Sequence, residues 1–142
     1  MLSWTILVRI WRLIRDLRDE TLPHLERLGL APNDPWLLAG IDRCHYPTEV
    51  VRLTQLPAPT VSQMLKRLEA EGLVVRSLDP SDLRRYRFEL TARGREVLEE
   101  SRTLMMSAME RRLERLSLEQ RQQFHELLDL LTADLTEPTA KE

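Results

Sequence analysis

The chain has 142 residues, enough for one domain with a substantial core and too few for two ordinary ones. Hydrophobic residues make up 42% of it, charged residues 31%, and only four glycines occur, which favours a mainly helical globular protein. A single cysteine, Cys44, excludes an internal disulfide framework. No apolar run approaches the ~20 residues that span a bilayer. We therefore expect a soluble, cytoplasmic protein with no membrane partner.

The formal net charge is −2, but the charges are distributed unevenly along the chain. Between Thr48 and Arg95, nine Lys and Arg residues outnumber six Asp and Glu residues, whereas the rest of the chain is acidic. A basic middle between acidic ends is expected of a protein that binds a polyanion with one part of its surface.

Helical spacing of apolar residues predicts a first helix within about residues 1–28. Its apolar stripe contains Trp4, Leu7, Ile10, Trp11, Ile14 and Leu17. Pro23 and the Gly- and Pro-containing segment 29–35 are expected to interrupt it. Two short helices should follow, over about 35–43 and 47–56, each with a proline suited to a first helical turn.

The middle of the chain predicts a helix followed by a β-hairpin. The helix should begin after the proline pair that ends at Pro59 and should end at Gly72, a residue favoured just past a helix C-terminus. Residues 73–78 and 86–90 are strand-like, and the polar, basic stretch 79–85 between them predicts a long hairpin loop.

Two more helices are predicted at the end of the chain. Thr91 can cap a long helix to about Leu116, and a capping box at 117–120 starts the last one. The last helix carries an apolar face of Phe124, Leu127, Leu128, Leu131 and Leu135. Residues after Thr136 are expected to fray.

The order short helix, turn, helix, two-stranded hairpin is that of a winged helix-turn-helix. In the second helix of this unit, Val61, Leu65 and Leu68 share one face and should pack on the core. The remaining face should present groups that read base edges and hold phosphates, namely Thr60, Ser62, Gln63, Lys66 and Arg67. At the hairpin tip, Arg84 and Arg85 could reach a minor groove or its phosphates.

Four segments with these features resemble the multiple-antibiotic-resistance-regulator (MarR) family of transcription regulators. They are Val61-Ser62, Leu65-Lys66-Arg67-Leu68-Glu69-Ala70-Glu71-Gly72-Leu73-Val74, Asp79-Pro80-Ser81-Asp82-Leu83-Arg84-Arg85 and Leu90-Thr91-Ala92-Arg93-Gly94. The family pattern is a V-S start, L-x-x-L-E-x-x-G-L-V, a D-P-x-D-x-R wing and L-T-x-x-G. The spacing matches without a gap.

The resemblance implies a single mainly α domain over 1–142, with a DNA-binding winged-helix lobe at about 35–95. The helices at about 1–28 and 95–135 would form the dimerisation lobe. It also implies that Arg84 enters the minor groove and that Asp82 steadies it through a charge-assisted hydrogen bond. Ser62, Gln63, Lys66 and Arg67 fall where the family's recognition helix meets the major groove.

The apolar faces of the terminal helices exceed what one small lobe can bury, which predicts a homodimer. The expected interface residues are Trp4, Leu7, Trp11, Phe124, Leu127, Leu128 and Leu131. The resemblance implies a regulator, most simply a repressor, on a pseudo-palindromic operator in double-stranded DNA. It further implies a small aromatic or phenolic effector lodged between the lobes. We expect no cofactor.

Two residues depart from the usual helix-turn-helix pattern. Pro57 stands where a capping side chain is usual, and it cannot supply an acceptor to the helix N–H groups. Gln55 occupies a turn position where a glycine often lies. Both residues put the local turn geometry in question, although neither argues against the fold.

Other functions remain open. The winged helix could be a protein-interaction module, or the protein could be a metal- or redox-sensing repressor that uses Cys44, whose pKa the neighbouring His45 could lower. No tight ligand spacing supports a metal site. No nucleophile elbow, phosphate-binding glycine loop or HExxH motif occurs, so we expect no enzyme activity.

Overall fold

Helices dominate the computed structural model, which describes residues 1–135. In chain order its elements are α1 (Leu2–Arg27), α2 (Asp34–Cys44), α3 (Pro47–Thr54), α4 (Ala58–Ala70), β1 (Val74–Leu78), β2 (Tyr86–Leu90), α5 (Ala92–Leu113) and α6 (Leu118–Thr132). The strands pair antiparallel, which confirms the predicted class of a mainly α protein with a hairpin wing. The tail after Thr136, where fraying was expected, lies outside the described residues.

The chain divides into two compact units. One contains residues 1–32 and 101–133, and the other contains residues 33–100. The second unit holds α2, α3, α4 and the hairpin around a core of Leu37, Leu38, Ile41, Val50, Leu53, Val61, Leu65, Leu68, Val74, Phe88 and Leu90. The hairpin register runs from Val74 opposite Leu90 to Leu78 opposite Tyr86. Residues 79–85 therefore form the loop at its far end.

The turn between α3 and α4 accommodates both unusual residues. Gln55 ends α3 in the left-handed conformation, at φ +57°, and its Nε2 donates to the Arg52 carbonyl at 2.8 Å. Pro57 has an extended backbone, at ψ 140°, and gives α4 no side-chain cap. The helix begins at Ala58, one residue before Pro59 rather than after it, because a proline is tolerated in the first helical turn.

Pro23 does not interrupt α1, contrary to expectation. The helix continues through Pro23 to Arg27, and Gly29 follows at φ +78°. A proline inside a helix removes one backbone hydrogen bond, which the remaining bonds can outweigh. Within the same unit, Arg112 of α5 lies 2.7 Å from Asp16 and 2.6 Å from Glu20, so charged pairs join α5 to this part of α1.

Both predicted helix starts at the end of the chain are confirmed. The Gly94 N–H donates to the Thr91 hydroxyl at 3.0 Å at the start of α5. Ser117 and Gln120 form a reciprocal capping box, with bonds of 2.9 and 3.2 Å, at the start of α6. These local signals identified where the helices begin.

Two glycines should respond to alanine with opposite signs. A Cβ at Gly94 would overlap the Leu73 carbonyl oxygen, so Gly94→Ala should lower the unfolding free energy by about 1–3 kcal/mol. Gly40 is the control, since its Cβ would lie 3.5 Å from Val50 in ordinary contact inside α2. There alanine should be neutral or stabilising by up to about 1 kcal/mol. Urea unfolding at one protein concentration measures both, and equal losses would contradict the packing argument.

Candidate nucleic-acid interface

The α4 helix presents a polar face to solvent, opposite its buried one. Val61, Leu65 and Leu68 are buried, as their spacing predicted. On the remaining surface Thr60, Ser62, Gln63 and Lys66 are exposed. Amide, hydroxyl and ammonium groups thus extend from one helix over two turns, and such groups contact base edges and phosphates in a major groove.

Arg67 is not grouped with those exposed side chains. Its Nη2 lies 2.5 Å from Oδ1 of Asp34, whose side chain is fully buried in the first turn of α2. Its Nη1 is also 3.5 Å from the Glu71 carboxylate. The bond to Asp34 raises the pKa of Arg67 above its ordinary value. Arg67 therefore ties α4 to α2, a role that the sequence did not indicate.

Asp79 organises the wing loop, residues 79–85. Its carboxylate is buried and accepts bonds from the Ser81 N–H at 2.8 Å, the Ser81 hydroxyl at 2.7 Å and the Tyr46 hydroxyl at 2.6 Å. These donors, Tyr46 foremost, hold the pKa of Asp79 well below its usual range. The Asp79 N–H donates to the Arg85 carbonyl at 2.9 Å, which closes the loop.

Arg84 extends from the tip of this loop with 95% of its side chain exposed. Asp82 accepts a hydrogen bond from the Arg84 backbone N–H at 3.0 Å, while its carboxylate is 3.6 Å from the guanidinium Nε. Asp82 thus holds the backbone of Arg84 by a hydrogen bond and its side chain by a longer ion pair. The expected charge-assisted hydrogen bond to the guanidinium is not formed.

Arg85, which the sequence grouped with Arg84, has a different environment. Its guanidinium carbon lies 4.1 Å from the centroid of the Tyr46 ring, in cation–π contact. Tyr46 precedes α3 and did not figure among the sequence-predicted site residues. No local pattern could have identified it, since its contacts with the loop join residues more than 30 positions apart.

The cysteine has the surroundings of a structural residue. The Cys44 thiol donates to the Gly40 carbonyl at 3.0 Å, and burial raises its pKa, with the Glu49 carboxylate raising it further. His45 binds the Phe88 carbonyl through Nδ1 at 3.1 Å. A raised pKa disfavours the reactive thiolate. Among residues 1–135, no three His, Cys, Asp or Glu side chains cluster as metal ligands would.

The unit formed by residues 1–32 and 101–133 displays large apolar side chains. Trp4 and Trp11 of α1 are 67% and 58% exposed, and Leu7 between them is also exposed. On α6, Leu127, Leu128 and Leu131 are exposed, and Phe124 is half-buried. None of the helices described in residues 1–135 has the length and apolar character needed to cross a bilayer.

Comparison with known proteins gives one family match and many similar structures. The sequence profile of the MarR family matches residues 36–85, a segment that runs from the first turn of α2 to the end of the wing loop. A search of curated proteins found no match.

Three solved structures illustrate the likeness. One is a MarR family transcription regulator, with a TM-score of 0.82 and 19% identity over 93% of this chain and 89% of its own. Another is the transcriptional repressor CouR bound to a 23-mer DNA duplex, with a TM-score of 0.78 and 25% identity over 93% and 92%. The third is a probable transcriptional regulator from Pseudomonas aeruginosa, with a TM-score of 0.76 and 26% identity over 92% and 99%.

Arg67 and its neighbour Lys66 should differ in their contribution to stability. Arg67→Met removes a charged partner from the buried Asp34 carboxylate, so the unfolding free energy should fall by about 1.5–3 kcal/mol. Lys66→Met is the matched control, since Lys66 is exposed and its loss should change that free energy by less than about 0.5 kcal/mol. Denaturant unfolding of both variants measures the difference. If Arg67→Met leaves the unfolding free energy unchanged, Arg67 does not stabilise the fold and belongs with the solvent-facing side chains of α4.

Proposed function

We propose that the chain is a transcription regulator of the MarR family, whose profile matches residues 36–85, and that it binds double-stranded DNA as a homodimer. One observation carries the proposal. The exposed polar face of α4 and the exposed guanidinium of Arg84 belong to the same compact unit, which is also the unit matched by the family profile. A recognition helix and a wing are thereby available together to one duplex.

The proposed contacts follow from the chemistry of each side chain. Gln63 can bond both N6 and N7 of an adenine, and Thr60 and Ser62 can donate to or accept from base edges or phosphates. Lys66, as an exposed point charge, suits phosphate. Arg84 suits a narrow minor groove, where negative potential is concentrated. Arg67 joins α4 to α2 through its ion pair with Asp34, so we do not include it among the proposed DNA contacts.

The proposed dimer explains the exposed apolar stripes of the terminal helices. Contiguous apolar side chains of this size usually mark an interface, and a second copy of the chain supplies an equally apolar surface. A two-fold dimer presents two recognition helices. Its operator should therefore be a pseudo-palindrome with half-sites roughly 34–36 Å apart.

We further propose that the protein acts in the cytoplasm as a repressor that responds to a small aromatic or phenolic effector. The similarity to CouR, a transcriptional repressor bound to a DNA duplex, supports repression. The effector rests on the family resemblance alone. Sequencing the DNA that the purified protein enriches from its own genome tests the proposal. The affinity of the protein for this DNA should fall steeply as the salt concentration rises, whereas a protein-interaction module would not bind duplex DNA.

The dimer should depend on the apolar side of α1. Trp11→Glu places a charge on the exposed apolar stripe and should give a species of one chain mass in sedimentation at micromolar concentration, where the parent gives twice that mass. Arg12→Glu is the control, because Arg12 is exposed on α1 on the side away from the stripe and its replacement should leave the dimer intact. A parent protein that sediments as a folded monomer would rule out the proposed dimer.

The wing arginine should contribute to binding and not to folding. Arg84→Ala should lower operator affinity roughly 10- to 100-fold, because a charged contact is lost, with a nearly unchanged melting temperature since the side chain is exposed. Arg84→Lys should bind with intermediate affinity, because it keeps the charge and loses the planar fork. Asp82→Asn should show a smaller loss in the same direction.

The matched control for these wing variants is Arg93→Ala, which removes an exposed arginine of α5 that pairs with Glu96. Operator affinity at fixed salt, beside a thermal melt of each variant, makes the comparison. Wild-type affinity in Arg84→Ala would remove the wing from the DNA interface.

A further inference from the structure

Tyr46 connects the helix-turn-helix to both ends of the wing loop. The residue lies directly before α3, and its hydroxyl donates to Oδ2 of Asp79 at 2.6 Å, where the chain leaves β1. Its ring lies under the guanidinium of Arg85, with 4.1 Å from the guanidinium carbon to the ring centroid, where the chain enters β2. One side chain therefore contacts the first and the last residue of loop 79–85.

A second attachment lies nearer the middle of the hairpin. The backbone N–H of Phe88 donates to the His45 carbonyl at 2.8 Å, and Nδ1 of His45 binds the Phe88 carbonyl at 3.1 Å. His45 and Tyr46 thus hold the hairpin at two separate points, one at β2 and one at the loop. Together with the buried hairpin residues Val74, Phe88 and Leu90, these two separate attachments restrict the angle between the hairpin and α3.

We propose that Tyr46 is a positioning residue for DNA binding, which holds the wing loop in the orientation from which Arg84 reaches the duplex. The inference rests on the proposed function. Arg84 directly precedes Arg85 in the chain, so the contact of Arg85 with Tyr46 restricts the position of the backbone immediately after Arg84. The Arg84 side chain itself is exposed, and its ion pair with Asp82 lies at the surface, so it can exchange Asp82 for DNA.

The physical advantage is preorganisation. The bond between the Asp79 N–H and the Arg85 carbonyl closes the loop, but without the Tyr46 contacts the closed loop could tilt relative to α3. Fixing that tilt on DNA would cost part of the binding free energy. Because Tyr46 already orders the loop relative to α3 in the folded protein, that conformational entropy is lost on folding and not on DNA binding. Arg85 belongs to the same arrangement, so it acts on DNA mainly through Tyr46, and Arg85→Ala should resemble loss of the tyrosine ring.

The test is a double-mutant cycle on operator affinity. Tyr46→Phe removes the bond to Asp79 but keeps the ring, and it should weaken binding about threefold; Tyr46→Leu removes both contacts and should weaken it roughly tenfold. In an Arg84→Ala background, both substitutions should change affinity less than about twofold, because the side chain that Tyr46 positions is then absent. A thermal melt of each variant accompanies the measurement.

Tyr86→Leu is the matched control. Tyr86 also lies against an arginine, with its ring centroid 4.5 Å from the guanidinium carbon of Arg76, but this contact joins two residues of the hairpin itself. Tyr86→Leu should therefore keep the coupling between Tyr46 and Arg84 intact. Its own effect on affinity should be equal with and without Arg84.

Two results would overturn the inference in different ways. Equal losses for Tyr46→Leu with and without Arg84 would mean that Tyr46 is only a structural residue, while the proposed function stands. Wild-type affinity in Arg84→Ala alone would contradict the proposed use of the wing, and the positioning role would fail with it. Tyr46→Phe guards against a folding defect, since Asp79 keeps both bonds from Ser81 in that variant.

Discussion

The burial of one face of α4 determines the rest of the candidate site. Val61, Leu65 and Leu68 are buried, and in a helix that placement leaves no freedom in where the other side chains point. Gln63 and Lys66 must then face solvent, one turn apart. The spacing of three apolar residues was enough to predict this arrangement, because burial of an amphipathic helix is decided by its own pattern more than by its partners.

Local signals also predicted the hairpin and most helix ends, since each depends on residues close in sequence. The caps at Thr91 and Ser117 are of this kind. The α3–α4 turn was harder, because Gln55 adopts a left-handed conformation that side chains rarely adopt, and α4 begins inside a proline pair. Composition could mark those positions as unusual but could not say how the backbone would resolve them.

The contacts that could not be predicted join distant segments. Arg67 with Asp34 and Tyr46 with Asp79 are each separated by 33 residues, and no periodicity relates such positions. Their effect is to give apparently equivalent cationic side chains different roles. Arg67 and Lys66 are neighbours, as are Arg84 and Arg85, yet in each pair one side chain faces solvent and the other is held against the protein.

Charge counts are for this reason an incomplete guide to a DNA-binding surface. Arg76, Arg87 and Arg93 each lie within 3.6 Å of a carboxylate, and a pair of opposite charges contributes little at a distance. What matters is how easily a pair opens. The Arg84–Asp82 pair is exposed, so a phosphate can replace the carboxylate at little cost. Opening Arg67–Asp34 would remove a charged partner from a fully buried carboxylate, so that arginine stays with the fold.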